Sequence, residues 1–345
     1  MSGLPAAGER SSSDPLLAAV RVDGIAAPTP RVRLVATDLD GTLLDPSGRV
    51  TSRTARAVEA ARAAGIHVVP VTARPPQALW ALAAEAGVGP LAVCANGAAI
   101  VDLAGRRVIE VEQVPGPVAT DLVDRIRTAA PGVVLALDDL ECFSFEGGFF
   151  DVPVDWQEKL EEVADARAVV ARGCVKLLAR LPGSAAPVLA QTLATALGEL
   201  CHVTTSGLDW VDVGAAGVSK AGATARVCEL LGIGFDEVVA IGDNHNDLPL
   251  LAWAATPMAP ANAIPEVLAS VTRILASNSE DGVAALLEEL ARTARSAAPD
   301  CAGSPGGTAA NASAGTLRPP SRASVSPRRA STQQPAPPVP PRART

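Results

Sequence analysis

Lysine is nearly missing from this 345-residue chain: of 29 basic residues, Lys159, Lys176 and Lys220 are the three lysines, against 26 arginines. A lysine kept under so strong an arginine bias marks a place where a compact ammonium matters, so each position is a candidate for function. The six cysteines (94, 142, 174, 201, 228 and 301) show no C-x-x-C spacing and mostly sit in apolar runs. That usage predicts reduced thiols and a cytoplasmic protein. Histidine is confined to His67, His202 and His245, none paired with a second His or a Cys, which argues against zinc and against catalytic roles for all three. No apolar run approaches the ~20 residues that cross a bilayer, and no charged start with an apolar stretch opens the chain. The expectation is a soluble, unexported protein with no membrane partner.

What is present suffices for a large core, since 48% of residues are hydrophobic and the length allows two ordinary domains. The first 30 residues and those beyond about Thr293 are rich in Ser, Pro, Ala and Gly with little apolar periodicity, so both ends are expected to be disordered. Residues 291–345 carry eight Arg against the single acid Asp300, about +7, which leaves about −15 on the remainder of a chain whose net charge is −8. An acidic body argues against a nucleic-acid surface on the folded part. In the tail, Pro337-Pro338-Val339-Pro340-Pro341-Arg342 looks like a polyproline ligand and Arg328-Arg329-Ala330-Ser331 like a basophilic kinase site. Both also fit compositional accident, and the sequence names no tail partner.

From residue 31, short apolar runs alternate with Ala-rich helical stretches, the rhythm of a parallel α/β sheet. Strands are predicted at 32–37, 67–72, 91–95, 237–242 and 255–258, and helices at 51–64, 75–86, 218–231, 246–252 and 281–292. Residues 98–112 read as a hairpin. Between about 115 and 203 the rhythm changes: helix 118–129, strands 133–138 and 141–145, helix near 155–165, strand 174–180, helix 184–197 and strand 200–205. The predicted fold is therefore α/β, a Rossmann-like parallel-sheet core (31–114 and 204–292) carrying an inserted α+β cap (115–203), with flanking segments 1–30 and 293–345. Insertions of this kind commonly form a lid or a specificity surface.

Four segments carry candidate chemistry. After the apolar run Arg33 to Thr37 come Asp38-Leu39-Asp40-Gly41-Thr42, two carboxylates two positions apart with a glycine that frees the chain to turn. Paired acids there suit metal-assisted phosphoryl chemistry, and an ordinary Asp-Gly turn also accounts for them. Thr72 ends the second strand ahead of Ala73-Arg74-Pro75-Pro76, where its hydroxyl can donate to a phosphate oxygen or cap the next helix. Ser219-Lys220 opens a helix after a Gly-rich loop, and a lysine at a helix start opposes the macrodipole unless it serves an anion there. Gly242-Asp243-Asn244-His245-Asn246-Asp247 follows the apolar strand Val238 to Ile241; its hard oxygen donors suit Mg²⁺, while an Asx-rich turn accounts for Asn246 but not Asp243. All four lie at strand carboxyl ends or a helix start, where open α/β sheets place ligands.

With Asn96-Gly97 and Ser277-Asn278-Ser279-Glu280-Asp281-Gly282-Val283 added, the order of these segments resembles the haloacid dehalogenase-like hydrolase superfamily, specifically its Cof-like (type IIB) phosphatases, over about residues 32–291. The resemblance implies Asp38 as nucleophile and Asp40 as the group that protonates the leaving alkoxide and then activates water. It implies phosphate binding by Thr72, Lys220 and Asn246, and Mg²⁺ held by the Asp38 carboxylate, the Asp40 carbonyl and Asp243, with Asp247 joining the metal or supporting it from behind. The implied reaction is hydrolysis of a small phosphorylated metabolite, a sugar phosphate by preference, through an aspartyl-phosphate. A phosphomutase of the same superfamily, or a non-catalytic scaffold, are the alternatives. Two positions depart from the family pattern: Ala73 stands where Gly is usual, and Ala259-Pro260-Ala261-Asn262-Ala263 replaces Ala-Met-Gly-Asn-Ala. Residues such as Glu146-Gly147-Gly148, set among Phe143, Phe145, Phe149 and Phe150, either face the site or form a turn over a small aromatic core.

Overall fold

The computed structural model describes residues 31–151 and 159–296, which fall within one compact unit. In chain order the first layer comprises β1 (Leu34–Thr37), α1 (Ser52–Ala63), β2 (His67–Pro70), α2 (Pro76–Ala86) and β3 (Leu91–Cys94). The hairpin β4 (Ala99–Asp102) and β5 (Arg107–Val111) continues antiparallel from β3. The inserted unit follows as α3 (Gly116–Ala129), β6 (Val134–Asp138), β7 (Phe143–Glu146), β8 (Leu160–Val163), α4 (Arg167–Val170), β9 (Lys176–Arg180), α5 (Ala186–Leu197), β10 (Cys201–Thr204) and β11 (Val211–Ala215). The chain then completes the first layer with α6 (Lys220–Leu231), β12 (Val238–Ile241), α7 (Leu248–Trp253), β13 (Thr256–Pro260), α8 (Pro265–Leu268), β14 (Arg273–Leu275) and α9 (Gly282–Ser296).

The core sheet runs β14-β13-β12-β1-β2, with every printed pairing parallel, and β3 joins it through a parallel bridge between Val71 and Val93. Both faces are covered, which is why β1 and β12 are apolar throughout rather than alternating. Val35 packs with α1, α2 and α9, while Leu34 and Ala36 pack on the opposite side with α6 and α7. The inserted sheet, β10-β11-β9-β6-β7-β8, has a different logic. Leu135, Leu137, Leu177, Ala179, Val211 and Val213 bury one face against α3 and α5. The side chains between them, with period two, look toward the core.

Three elements differ from the sequence expectation. Helix is predicted near 155–165, yet Leu160–Val163 forms β8, paired parallel with β7, and 152–158 lie outside the described residues. Pairing with a neighbouring strand overrides the helical propensity of this Glu-rich run. β11 was not foreseen; because it pairs with both β9 and β10, the inserted sheet reaches Ala215 rather than stopping at 203. α9 continues to Ser296, past the expected end at 292. Residues 1–30 and 297–345, with both tail motifs, lie outside the described residues. Five cysteines are described, all buried and free of disulfides. Among the described residues no helix is long and apolar enough to cross a membrane.

Candidate active site

β1 and β12 are adjacent and in register, Thr37 opposite Ile241, so the loops that follow them leave the sheet at one edge. That adjacency brings Asp38 beside Asp243, and the Asp38 amide donates to the Ile241 carbonyl at 2.9 Å. Gly41, at φ +75°, lets the loop turn under Asp243: a Cβ there would lie 2.4 Å from Asp243 Oδ2. Thr42 Oγ1 donates to Asp243 Oδ1 at 2.8 Å, tying the two loops together. Asn262 Nδ2 holds the Gly41 carbonyl at 2.7 Å; its Oδ1 accepts from the Asn278 amide at 2.9 Å, and Asn278 Nδ2 reaches the Leu44 carbonyl at 2.9 Å. The Asn278 segment thus braces the loop of the paired acids.

Lys220 enters from the far side, at the start of α6. The Asn96-Gly97 turn makes room for it: Gly97 has φ +107°, and a Cβ would meet the Ser219 carbonyl oxygen at 2.3 Å. Lys220 is 1% exposed, and its Nζ contacts Asp38 Oδ1 at 2.7 Å and Asp247 Oδ1 at 2.6 Å. Asp247 Oδ2 accepts the amides of Asp243 and Asn244 at 3.0 and 3.1 Å, so Asp247 anchors both the lysine and its own loop. Burial opposes the charge on Lys220, but Asp247 and Asp38 outweigh it and hold the ammonium firmly protonated. Burial raises Asp38 well above the ordinary carboxylate range, against the pull of Lys220, and the neighbouring acids add to the rise. Burial, helped by Asp247, pushes Asp243 up to about 6.

The remaining expected residues divide. Thr72 is buried at the end of its strand, where Oγ1 accepts from the Arg74 amide at 3.1 Å and leaves the hydroxyl hydrogen to donate. Asp40 is half exposed and gripped by Arg74, Nε to Oδ2 at 2.7 Å and Nη2 to Oδ1 at 2.5 Å. Asn246 is buried, and its Nδ2 donates to Asn96 Oδ1 at 3.0 Å. Asn96 Nδ2 in turn donates to Asp212 Oδ2 at 2.9 Å, on β11 of the inserted sheet. Beside it, Lys176 Nζ from β9 donates to the Ala73 carbonyl at 3.0 Å and faces Asp212 Oδ1 at 3.6 Å. The acceptor-only Asp212 carboxylate orients both amides of this chain.

Asp38, Asp243 and Asp247 each offer an oxygen, all within 4.8 Å of one another. This all-oxygen set fits a hard divalent cation, and a cation there would offset the burial that raises Asp38 and Asp243. No histidine belongs to it. Asp38, Asp40, Arg74, Asp243, Asn244 and Asn246 line the floor of a cavity of about 610 Å³ whose opposite wall comes from the inserted unit. The motifs left three contributors unassigned. Arg74 stood in the Thr72 segment without a role, Lys176 was flagged only by the rarity of lysine, and Asp212 gave no sequence signal because the pairing that brings it to Asn96 is not local.

The chain matches the haloacid dehalogenase-like hydrolase family over residues 35–287. Pyridoxal phosphate phosphatase YbhA of Escherichia coli (strain K12) is 27% identical over 263 residues, covering 73% of this chain and 96% of that protein. The 5-amino-6-(5-phospho-D-ribitylamino)uracil phosphatase YcsE of Bacillus subtilis (strain 168) is 25% identical over 269 residues, covering 73% and 93%. Among solved structures, the HAD subclass IIB sugar phosphatase BT4131 superposes with a TM-score of 0.64 at 21% identity, covering 75% of this chain and 98% of that one, a likeness of fold. With its order of motifs, its parallel core and its inserted second sheet, this chain belongs to the haloacid dehalogenase-like hydrolases as a phosphatase of the Cof-like branch.

Proposed function

We propose that this protein is an Mg²⁺-dependent phosphomonoesterase that hydrolyses a small phosphorylated metabolite through an aspartyl-phosphate on Asp38. The observation that carries the proposal is the Lys220 ammonium set between Asp38 and Asp247, with Asp243 alongside. A buried cation beside a carboxylate at a cavity floor neutralises an incoming phosphate dianion that would otherwise be repelled by the acids.

An Asp38 oxygen attacks phosphorus, the new P–O bond forms as the ester P–O bond breaks, and the departing alkoxide takes a proton from Asp40. Asp40 then accepts a proton from water as that water attacks phosphorus, which releases phosphate and restores Asp38. Arg74 holds Asp40 in the position from which it serves both steps. Thr72 and Asn246 steady phosphoryl oxygens while Lys220 balances their charge. Mg²⁺, when bound by Asp38, Asp243 and the Asp40 carbonyl, supplies Lewis-acid polarisation of the phosphoryl group. Asp247, both of whose oxygens are already engaged, acts by fixing Lys220 and the Asp243 loop. Curated relatives named for phosphate esters of modest size, and the likeness to a sugar phosphatase fold, support a small-metabolite substrate; the sequence resemblance favours a sugar phosphate.

The test is hydrolysis of p-nitrophenyl phosphate by the full chain. Turnover that requires Mg²⁺ and is lost in Asp38→Asn is expected. Metal-independent turnover, or turnover that survives Asp38→Asn, contradicts the proposal.

A further inference from the structure

The inserted sheet turns its second face to the cavity, and that face carries a buried acid for which the chemistry above has no use. Asp138 ends β6 directly across from Lys176 on β9, is 3% exposed, and lines the cavity. Its Oδ1 accepts from the Leu140 amide at 2.9 Å, whereas its Oδ2 is buried with no hydrogen-bond partner. Lys176 does not satisfy it, being committed to the Ala73 carbonyl and turned to Asp212. Leaving a buried acceptor unpaired costs about 1–3 kcal/mol, and a group of this kind is satisfied by what enters the site. Along the same wall Phe143, Leu178 and Trp210 present apolar and aromatic surface. The phosphoryl floor and this wall bound one cavity, so a phosphate ester seated at Asp38 directs its leaving group toward them.

Resting on the phosphatase reading, we propose that Asp138 is the specificity-determining residue: its Oδ2 accepts a hydrogen bond from a donor on the leaving group. The leaving group's ring lies along Phe143, Leu178 and Trp210. A ring carrying a donor is common to two sources, a sugar ring with its hydroxyls and a protonated heteroaromatic ring with its N–H. An acyclic polyol phosphate lacks the ring, and a simple aryl phosphate lacks the donor.

The full-length protein with Mg²⁺ is assayed on glucose 6-phosphate, pyridoxal 5′-phosphate, glycerol 3-phosphate and p-nitrophenyl phosphate. At least one of the two donor-bearing ring esters exceeds glycerol 3-phosphate in kcat/KM by about tenfold or more, and the better of the two identifies the source. In Asp138→Asn, the Leu140 amide keeps the side-chain oxygen at its own side, so an NH₂ group faces the cavity in place of Oδ2. The ratio of kcat/KM for the preferred ester to that for p-nitrophenyl phosphate then falls about tenfold or more, chiefly through KM. An unchanged ratio overturns the proposal. So does a wild type that treats glycerol 3-phosphate as well as the ring esters, a measurement that stands even if the variant does not fold. A wild type inactive on all four esters contradicts the phosphatase reading itself, so the two failures are told apart.

Discussion

In the parallel core, the phosphoryl site is assembled from short contiguous runs: Asp38 with Asp40, Thr72 with Arg74, Asp243 with Asn246 and Asp247. In the inserted sheet, the side chains facing the same cavity are far apart in sequence and meet only through pairing. Asp138 lies opposite Lys176, and Asp212 lies opposite Leu178, one strand further on. The contrast has a physical origin. Parallel strands deliver all their following loops to one edge, so a motif at a strand's end is placed whatever the strand's neighbours are. An antiparallel face places a residue only through register, and a slip of one residue would turn Asp138 and Lys176 away from the cavity.

Substitutions should therefore separate chemistry in the core from selection in the inserted sheet. The largest effect is expected from Asp38→Asn, which lowers kcat by about 10⁴-fold or more, read by phosphate release, while the melting curve stays cooperative. Lys220→Met follows, since it strands Asp38 and Asp247 as buried acids without their counter-charge. Turnover collapses, and chemical denaturation without Mg²⁺ shows a loss of about 3–5 kcal/mol. Asp212→Ala acts across the boundary by releasing Asn96 and, through it, Asn246. A fall of about tenfold in kcat/KM is expected for every phosphate ester alike, unlike the substrate-selective loss from Asp138→Asn.

A pH experiment sharpens the core side of the comparison. With Asp243 pushed up to about 6, protons compete with metal below that value, and Mg²⁺ binding by calorimetry should weaken about tenfold from pH 7.5 to pH 5. The sign for stability is opposite to that of an ion-paired acid. The metal-free folded protein binds the Asp243 proton more tightly than the unfolded chain does. Its stability is therefore greatest below the ordinary aspartate range and declines as pH rises toward 6, a decline that Mg²⁺ should offset. The smallest effect belongs to Arg53→Ala, which removes the half-exposed pair with Glu288 between α1 and α9. It should cost no more than about 1 kcal/mol in denaturation and leave activity as it was.

The sequence analysis reached the core far better than the inserted unit. Asp38, Thr72, Lys220, Asn246, Asp243 and Asp247 were all legible because each sits in a run whose neighbours mark a strand end or a helix start. Gly41 and Gly97 were legible too, and the structure supplies their reason: each permits a close approach that a Cβ would block. The grip of Arg74 on Asp40 was not legible, because it depends on where two loops meet. β8 was mistaken for helix, since its Glu-rich run lacks the alternation that betrays a strand, and β11 was missed inside a run read as the unit's closing loop. The aromatic group around Phe143 was read as either a site wall or a small core. It is both: Phe143 packs with Phe149 and also lines the cavity, while Glu146 turns away to Arg127 and the amides of Leu135 and Ala166.

The central claim is that Asp38 carries the phosphoryl group between substrate and water, with Asp40 managing the protons. Rapid acid quench of Asp40→Asn turning over an aryl phosphate with Mg²⁺, followed by peptide mass spectrometry, tests it most directly. The account predicts a phosphoryl adduct on the Asp38 side chain that accumulates because its hydrolysis has lost its base. Phosphate release with no adduct at any time point, or an adduct on a different residue, would contradict it.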